Sequence, residues 1–135
     1  MTVSFRVFGV AQPQGSARAF MAGGRPVITS SNKNLGDWRR LVADCAQKYA
    51  RMHEGPLWVQ LEFVMPAPKS LPKKRRGRYV EKRPDIDKLQ RACLDALTGV
   101  MWHDDAQVAD IWARKVYESD DDAPGVLVRL GEMPL

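Results

Sequence analysis

The chain has 135 residues and a mass of 15.2 kDa, which is the size of one domain, 1–135, with a core of its own. Lysine and arginine number 21 against 16 aspartates and glutamates, and this net charge of +5 is consistent with an anionic partner. No run approaches the ~20 apolar residues of a membrane span, so we expect no membrane partner. The cysteines, Cys45 and Cys93, form no C-x-x-C pair, which argues against a disulfide scaffold and a zinc site.

The first ten residues alternate polar and apolar side chains. Val3, Phe5 and Val7 share one face, which predicts a strand over Thr2–Val10. This alternation lacks the continuous apolar stretch of a signal peptide, so we expect a cytoplasmic protein. Prolines and glycines predict a loop over 11–24, and Arg25–Thr29 can pair back as a short strand.

An amphipathic helix is predicted next. Apolar residues recur at spacings of three and four from Leu35 to Met52, which predicts a helix of about 18 residues. Strict alternation of apolar and polar residues then predicts a strand over Leu57–Met65 with one buried face, stopped by Pro66.

The second half of the chain predicts one more helix and two strands. Apolar positions from Ile86 to Leu97, closed by Gly99, predict the helix. Gln107–Tyr117 and Val126–Leu130 are rich in β-branched residues and are separated by an acidic turn, which predicts two strands. The expected fold class is α+β, with two helices packed on a mixed, largely antiparallel β-sheet in a two-layer single domain.

A basic segment, 69–83, fills the longest loop of the central region. Glu81 is its only acid, and its eight basic residues are Lys69, Lys73, Lys74, Arg75, Arg76, Arg78, Lys82 and Arg83. One interpretation is a solvated, mobile run of charge. The other is a DNA-binding arm that contacts phosphates and becomes ordered on nucleic acid, with Tyr79 stacked on a base or sugar.

Two carboxylates, Asp85 and Asp87, follow where the loop becomes the helix. Residues two apart on a helix point about 200° away from each other. Both can therefore face one point only if Asp85 lies outside the helix in extended geometry, which Pro84 permits. The alternative interpretation is that Asp87 caps the helix, since Asp87 and Gln90 have the spacing of a capping box.

A second acidic pair, Asp104 and Asp105, precedes the strand that begins near Gln107. A plain turn is one interpretation, and the sequence leaves open whether this pair meets Asp85, which lies at the far end of the helix. Carboxylates beside a cationic arm repel DNA unless they hold Mg²⁺, which prefers a few carboxylates together with waters and phosphate oxygens. Such an ion can activate water and neutralise charge that builds on phosphorus.

A longer stretch, RPDIDKLQRACLDALTGVMWHDDAQVADIWARKVY, is similar to the core of the RusA family of Holliday junction resolvases, or crossover junction endodeoxyribonucleases. Members carry a D-x-D start, a helix that ends in LDALTG, and a W-x-D-D-A-Q-V segment. The opening FRVFGVAQPQGSARAF resembles the N-terminal strand and loop of phage-type members. The combination of D-I-D with D-D-A-Q-V in this order is far more specific for the family than D-x-D alone.

This resemblance implies a homodimeric, Mg²⁺-dependent endonuclease that resolves four-way DNA junctions by paired symmetric nicks, in recombination and repair. Mn²⁺ is expected to substitute for Mg²⁺. The resemblance assigns metal binding and catalysis to Asp85, Asp87 and Asp105, and a weaker metal-binding role to Asp104.

The family's catalytic lysine falls where this chain has Arg91, while Lys88 lies three residues earlier on the same helical face. A guanidinium stabilises negative charge but does not release a proton. The resemblance therefore assigns catalysis to Arg91 and Lys88 together and leaves the division of their roles open.

Two alternatives to junction resolution remain at this point. A related nuclease can prefer flaps, forks or other replication branches. A non-catalytic branched-DNA-binding protein can use the same aspartates only as caps and turns. Incubation of a four-way junction with and without Mg²⁺ discriminates among these hypotheses.

Overall fold

The computed structural model describes residues 2–15, 17–22, 24–30 and 33–134. These residues form an α+β domain with six strands and two α-helices, which confirms the predicted fold class. In chain order the elements are β1 (Thr2–Phe8), β2 (Ala17–Ala22), β3 (Arg25–Ser30), α1 (Leu35–Gln47), β4 (Leu57–Met65), α2 (Ile86–Leu97), β5 (Val108–Tyr117) and β6 (Gly125–Glu132).

Four of the strands form a mixed sheet in the order β1-β6-β4-β5. The central strand β4 pairs antiparallel with β6 and parallel with β5, and β1 pairs antiparallel with β6. Val59 of β4, for example, lies opposite Leu130 on one side and Ile111 on the other. Two of the three pairings are antiparallel, as predicted.

The core lies between one face of this sheet and the two helices. Alternate residues of β4, such as Leu61 and Phe63, are fully buried on that face. The helices contribute apolar side chains at helical spacing, including Trp38 from α1 and Leu89 from α2. Burial raises the pKa of the Cys93 thiol to about 12, so this cysteine is a packed, unreactive thiol.

The opposite face of the sheet carries no helix in the described part of the chain. Trp58 lies directly over Gly131, where an added Cβ would come within 2.8 Å of the indole ring. Trp112 is 48% exposed, and the guanidinium of Arg114 lies 5.0 Å from its ring centroid. Arg114 also forms an ion pair with Glu62 across the β4–β5 pairing.

The predicted loop over 11–24 is wrong in its second half. Residues 17–22 form β2, which pairs antiparallel with β3 and places Ala22 opposite Arg25. Gly24 has a φ of +77°, the left-handed conformation that a tight hairpin turn requires and that glycine adopts without steric cost.

The predicted length of the first helix is also wrong, because α1 ends at Gln47 and not near Met52. Ala46 is the last residue of α1 that the core buries. Tyr49 and Met52 are 48% and 38% exposed, so a longer helix would gain little burial to offset its conformational entropy. Tyr49 instead stacks on Phe5, with ring centroids 5.5 Å apart.

Neither helix in the described ranges is long and apolar enough to cross a membrane.

Candidate active site

The amino end of α2 carries Asp85 and Asp87, both of them exposed. Asp85 is the N-cap residue and has extended backbone angles (φ −66°, ψ 138°), so it lies outside the helix, as the sequence required for a shared site. The interpretation of Asp87 as the helix cap is wrong, because Asp85 holds the N-cap position and Asp87 lies in the first turn. The side chain of Asp85 makes no capping hydrogen bond. The partial positive charge of the helix terminus favours both carboxylates.

A groove of about 1000 Å³ borders Asp85. Its walls are the N-terminal loop 10–15, the prolines after β4 and the segment that leads into α2. The amide of Gln14 donates a hydrogen bond of 2.9 Å to the carbonyl of Lys88, which attaches this loop to α2. The lining includes one acid, Asp85, and four cations, Lys33, Lys82, Arg83 and Lys88. This excess of positive charge suits a phosphate backbone.

Lys88 and Arg91, three residues apart in α2, differ in exposure. Arg91 is exposed and lies four residues after Asp87, so the two side chains share the solvent face of the helix. Lys88 is half-buried and lines the groove beside Asp85. Lys88 therefore lines the groove, whereas Arg91 is not among the groove residues.

The basic segment 69–83 lies along the outer edge of β5. The amide of Gly77 donates to the carbonyl of Tyr117 at 3.1 Å, and the amide of Tyr117 donates to the carbonyl of Arg78 at 2.9 Å. Arg75 is half-buried and lies 3.4 Å from Glu81. The other basic side chains of the segment are exposed: Lys69, Lys73, Lys74, Arg76, Arg78, Lys82 and Arg83.

The second acidic pair occupies a turn between α2 and β5. Asp104 is the N-cap of a short 3-10 helix, Asp105–Gln107, and its Oδ1 accepts a hydrogen bond of 2.9 Å from the amide of Ala106. Gln107 Oε1 accepts one of 3.1 Å from the amide of Asp104 in return. Asp104 therefore caps this turn, while the side chain of Asp105 is exposed.

Sequence analysis missed the role of Gln107, although the D-x-x-Q spacing of Asp104 and Gln107 is that of a capping box. Its Oε1 also accepts from the amide of His103 at 2.9 Å. Its Nε2 donates to the carbonyls of His53 and Gly55 at 3.0 and 3.1 Å. One side chain therefore fixes the Asp104–Asp105 turn to the loop that precedes β4.

Sequence analysis also missed Lys115, a β5 residue that contacts the segment before Asp85. Its Nζ donates hydrogen bonds of 2.7 and 2.8 Å to the carbonyls of Lys82 and Pro84. The strand pattern of β5 contains no signal for this contact, because the acceptors lie more than 30 residues earlier in the chain.

The two acidic pairs lie at opposite ends of α2. Asp85 precedes the helix and Asp105 follows it, and a helix of 12 residues spans about 18 Å. β5 runs back along α2, so that Lys115, near the end of β5, reaches the backbone beside Asp85, whereas Asp105 precedes the beginning of β5. In the ranges that the structure describes, no group of three or more His, Cys, Asp or Glu residues could hold a metal ion.

The sequence matches a family model, Endodeoxyribonuclease RusA, over residues 10–130, about nine tenths of the chain. The chain belongs to the RusA family. This confirms the predicted family, and the match includes both acidic pairs and the basic segment. A curated relative of this chain, the uncharacterized protein YqaN of Bacillus subtilis (strain 168), is 26% identical over an alignment 137 residues long. The alignment covers 94% of this chain and 95% of the relative.

RusA-family proteins are endodeoxyribonucleases that act on branched DNA and depend on a divalent metal. Carboxylate oxygens are the ligands that Mg²⁺ prefers, so the donor types of this chain fit such an ion. The arrangement within one chain does not fit a site of three carboxylates, because Asp105 lies at the wrong end of α2 to join Asp85 and Asp87.

Proposed function

We propose that this RusA-family endonuclease is a Mg²⁺-dependent homodimer that resolves four-way DNA junctions by paired symmetric nicks. Its cellular setting would be recombination and repair in the cytoplasm. One observation carries the proposal: the exposed carboxylate of Asp85 borders a groove of about 1000 Å³ that four cations line, and the exposed Asp87 follows two residues later. Family membership supports the nuclease chemistry on which the proposal depends.

The groove and the basic segment supply the DNA affinity. Phosphate oxygens carry negative charge, so Asp85 and Asp87 alone would repel a DNA backbone. Lys82, Arg83 and Lys88 offset this repulsion along the groove wall. The exposed cations of segment 69–83 extend the positive surface along the edge of β5. A DNA strand bound there would pass the carboxylates.

The separation of the two acidic pairs supports the proposed homodimer. Since Asp105 is about one helix length from Asp85, a site that uses all three aspartates needs a second protomer. In a two-fold dimer, the partner's Asp105 would approach Asp85 and Asp87, and symmetry would make two identical sites. Two equivalent sites at a fixed separation are what paired nicks in a four-way junction require.

The test is cleavage of a synthetic four-way junction with a different label on each of its four strands, in Mg²⁺ and in EDTA. Linear duplex, flap and fork substrates of the same arm sequences serve as controls. We expect cleavage of the junction in Mg²⁺ alone, with nicks at symmetric positions in opposing strands. A second substrate, a supercoiled plasmid that extrudes a cruciform, separates paired nicks, which give linear DNA, from single nicks, which give open circles.

Three outcomes would contradict the proposal. Binding of the junction without cleavage in Mg²⁺ would make the protein a non-catalytic binder of branched DNA. Faster cleavage of the flap or fork than of the junction would make it a nuclease of different structural preference. Open circles as the end product from the cruciform plasmid would exclude paired nicking.

A further inference from the structure

We propose that Lys115 is a positioning residue that holds Asp85 in place for DNA cleavage. This inference deepens the proposed function, and the part of its test that measures DNA cleavage rests on that function. The ammonium of Lys115 donates hydrogen bonds of 2.7 Å to the carbonyl of Lys82 and 2.8 Å to the carbonyl of Pro84. Asp85 is the next residue in the chain and begins α2.

Lys115 is suited to this role because the sheet fixes its own backbone. It lies near the end of β5, where it pairs in parallel register with Phe63 of the central strand β4. Its carbonyl also accepts a hydrogen bond of 3.0 Å from the amide of Val80. One half-buried residue therefore attaches the segment 80–84 to the sheet at three points.

The carboxylate of Asp85 has little else to determine its direction. The structure gives Asp85 no side-chain capping bond to the α2 amides. Toward α2, the backbone of Asp85 is fixed by a hydrogen bond of 3.2 Å that its carbonyl accepts from the amide of Leu89. On the other side Pro84 has no amide hydrogen to donate, so its carbonyl, bound by Lys115, is the only backbone hydrogen-bonding group of that residue. The extended geometry of Asp85 thus depends on Lys115 before it and on α2 after it.

Two of the three N–H donors of the Lys115 ammonium are bound to carbonyl oxygens. Such hydrogen bonds from a charged donor are among the stronger ones in proteins. They keep the ammonium on the peptide backbone, and its effect on DNA cleavage would pass through Asp85. This separates Lys115 from Lys88, which lines the groove itself.

The test compares Lys115→Met, Lys115→Arg and the control Lys48→Met with the wild type. Methionine keeps a side chain of similar length without charge or donors, and arginine keeps both charge and donors. Lys48 is exposed at the end of α1, 37 residues before Asp85, and its replacement lowers the net charge equally. Two measurements are made: amide hydrogen exchange by mass spectrometry, and cleavage of a labelled four-way junction at saturating Mg²⁺.

In Lys115→Met we expect exchange at least about tenfold faster in peptides that cover 80–86, with β4 and β6 unchanged. We expect kcat to fall by up to about 100-fold, because small displacements of a reacting group carry a cost of this size. The KM for the junction should stay within about twofold, since no groove cation is removed. Lys115→Arg should recover part of the lost kcat, and Lys48→Met should match the wild type in both measurements.

Hydrogen exchange and cleavage can each contradict the inference independently. Unchanged exchange over 80–86 in Lys115→Met would overturn the inference, whatever the activity. Faster exchange with wild-type kcat would show that Lys115 holds the segment but has no part in positioning for cleavage, which also overturns it. A wild type that cleaves no branched DNA would refute the proposed function, and the exchange result would still decide whether Lys115 holds the segment before Asp85.

Discussion

Asp104 and Gln107 form a capping box: the backbone amide of Asp104 donates a hydrogen bond of 3.1 Å to Gln107 Oε1, while Asp104 Oδ1 accepts one of 2.9 Å from the backbone amide of Ala106. The side-chain Nε2 of Gln107 donates hydrogen bonds to the carbonyls of His53 and Gly55. All the hydrogen-bonding positions of this side chain are therefore engaged, and the turn that carries Asp105 is tied to the loop before β4.

Gln107→Ala should lower the free energy of unfolding by about 1–3 kcal/mol, because it leaves several backbone groups without partners. Gln107→Glu should also destabilise the protein, since it would set carboxylate oxygens against the carbonyls of His53 and Gly55. Urea denaturation followed by tryptophan fluorescence measures both effects. Gln47→Ala, at an exposed end of α1, is the control and should stay within about 0.5 kcal/mol of the wild type. Equal stability of Gln107→Ala and the control would contradict this role.

Mixing two inactive variants should restore cleavage if each metal site combines residues from two protomers. Asp85→Asn and Asp105→Asn should each lose junction cleavage, because an amide is a poorer ligand for Mg²⁺ than a carboxylate. A heterodimer of the two variants retains one site with all its aspartates. Co-refolded mixtures should therefore regain nicking in one strand, without the paired nick.

The control for this experiment is the mixture of Asp85→Asn with Asp87→Asn, which leaves no intact site in any dimer and should stay inactive. Light scattering at micromolar concentration should give about twice the 15.2 kDa of one chain. A mixture of Asp85→Asn and Asp105→Asn without activity, or a strict monomer, would rule out the shared site.

Junction binding should weaken steeply with salt, because cations that contact phosphates release counterions from DNA. Replacement of Lys73, Lys74, Arg75 and Arg76 by alanine should reduce the slope of log K against log salt by as much as about 3.6, or about 0.9 for each lost contact. Fluorescence anisotropy in EDTA across a salt series measures this slope. Circular dichroism should show an intact fold, since three of these side chains are exposed. A slope equal to that of the wild type would show that these side chains do not contact phosphates and are solvated surface charges.

Substitutions of Arg91 and Lys88 should affect different steps: the cleavage rate for Arg91 and junction binding for Lys88. Arg91 shares the exposed face of α2 with Asp87, so Arg91→Ala should lower the single-turnover cleavage rate by about 100-fold. Arg91→Lys should keep most of the rate if positive charge is the requirement. Lys88 lines the groove, so Lys88→Ala should mainly weaken junction binding. Wild-type rates in Arg91→Ala would show that this arginine has no catalytic role.

Local pattern in the sequence was enough to predict most elements of this fold. Alternation of apolar residues determined β4 at Leu57–Met65, and helical spacing closed by Gly99 determined α2, because each pattern matches the period of its own element. The sequence also indicated that a shared site requires Asp85 outside the helix, a geometry that Pro84 permits, and Asp85 has this geometry. Local pattern failed at β2 and at the end of α1, where turn conformation and burial decide the outcome.

Tertiary structure alone decided where the acidic residues lie relative to one another and what supports them. The sequence places the two acidic pairs, Asp85 with Asp87 and Asp104 with Asp105, within 21 positions, yet α2 holds the pairs about one helix length apart, because a helix is a rigid spacer. The contacts of Lys115 with Lys82 and Pro84, and those of Gln107 with His53 and Gly55, join residues more than 30 positions apart. Such contacts depend on how β5 returns along α2 and on which backbone carbonyls the fold leaves accessible to a donor. The local spacing of apolar residues in the sequence encodes neither of these.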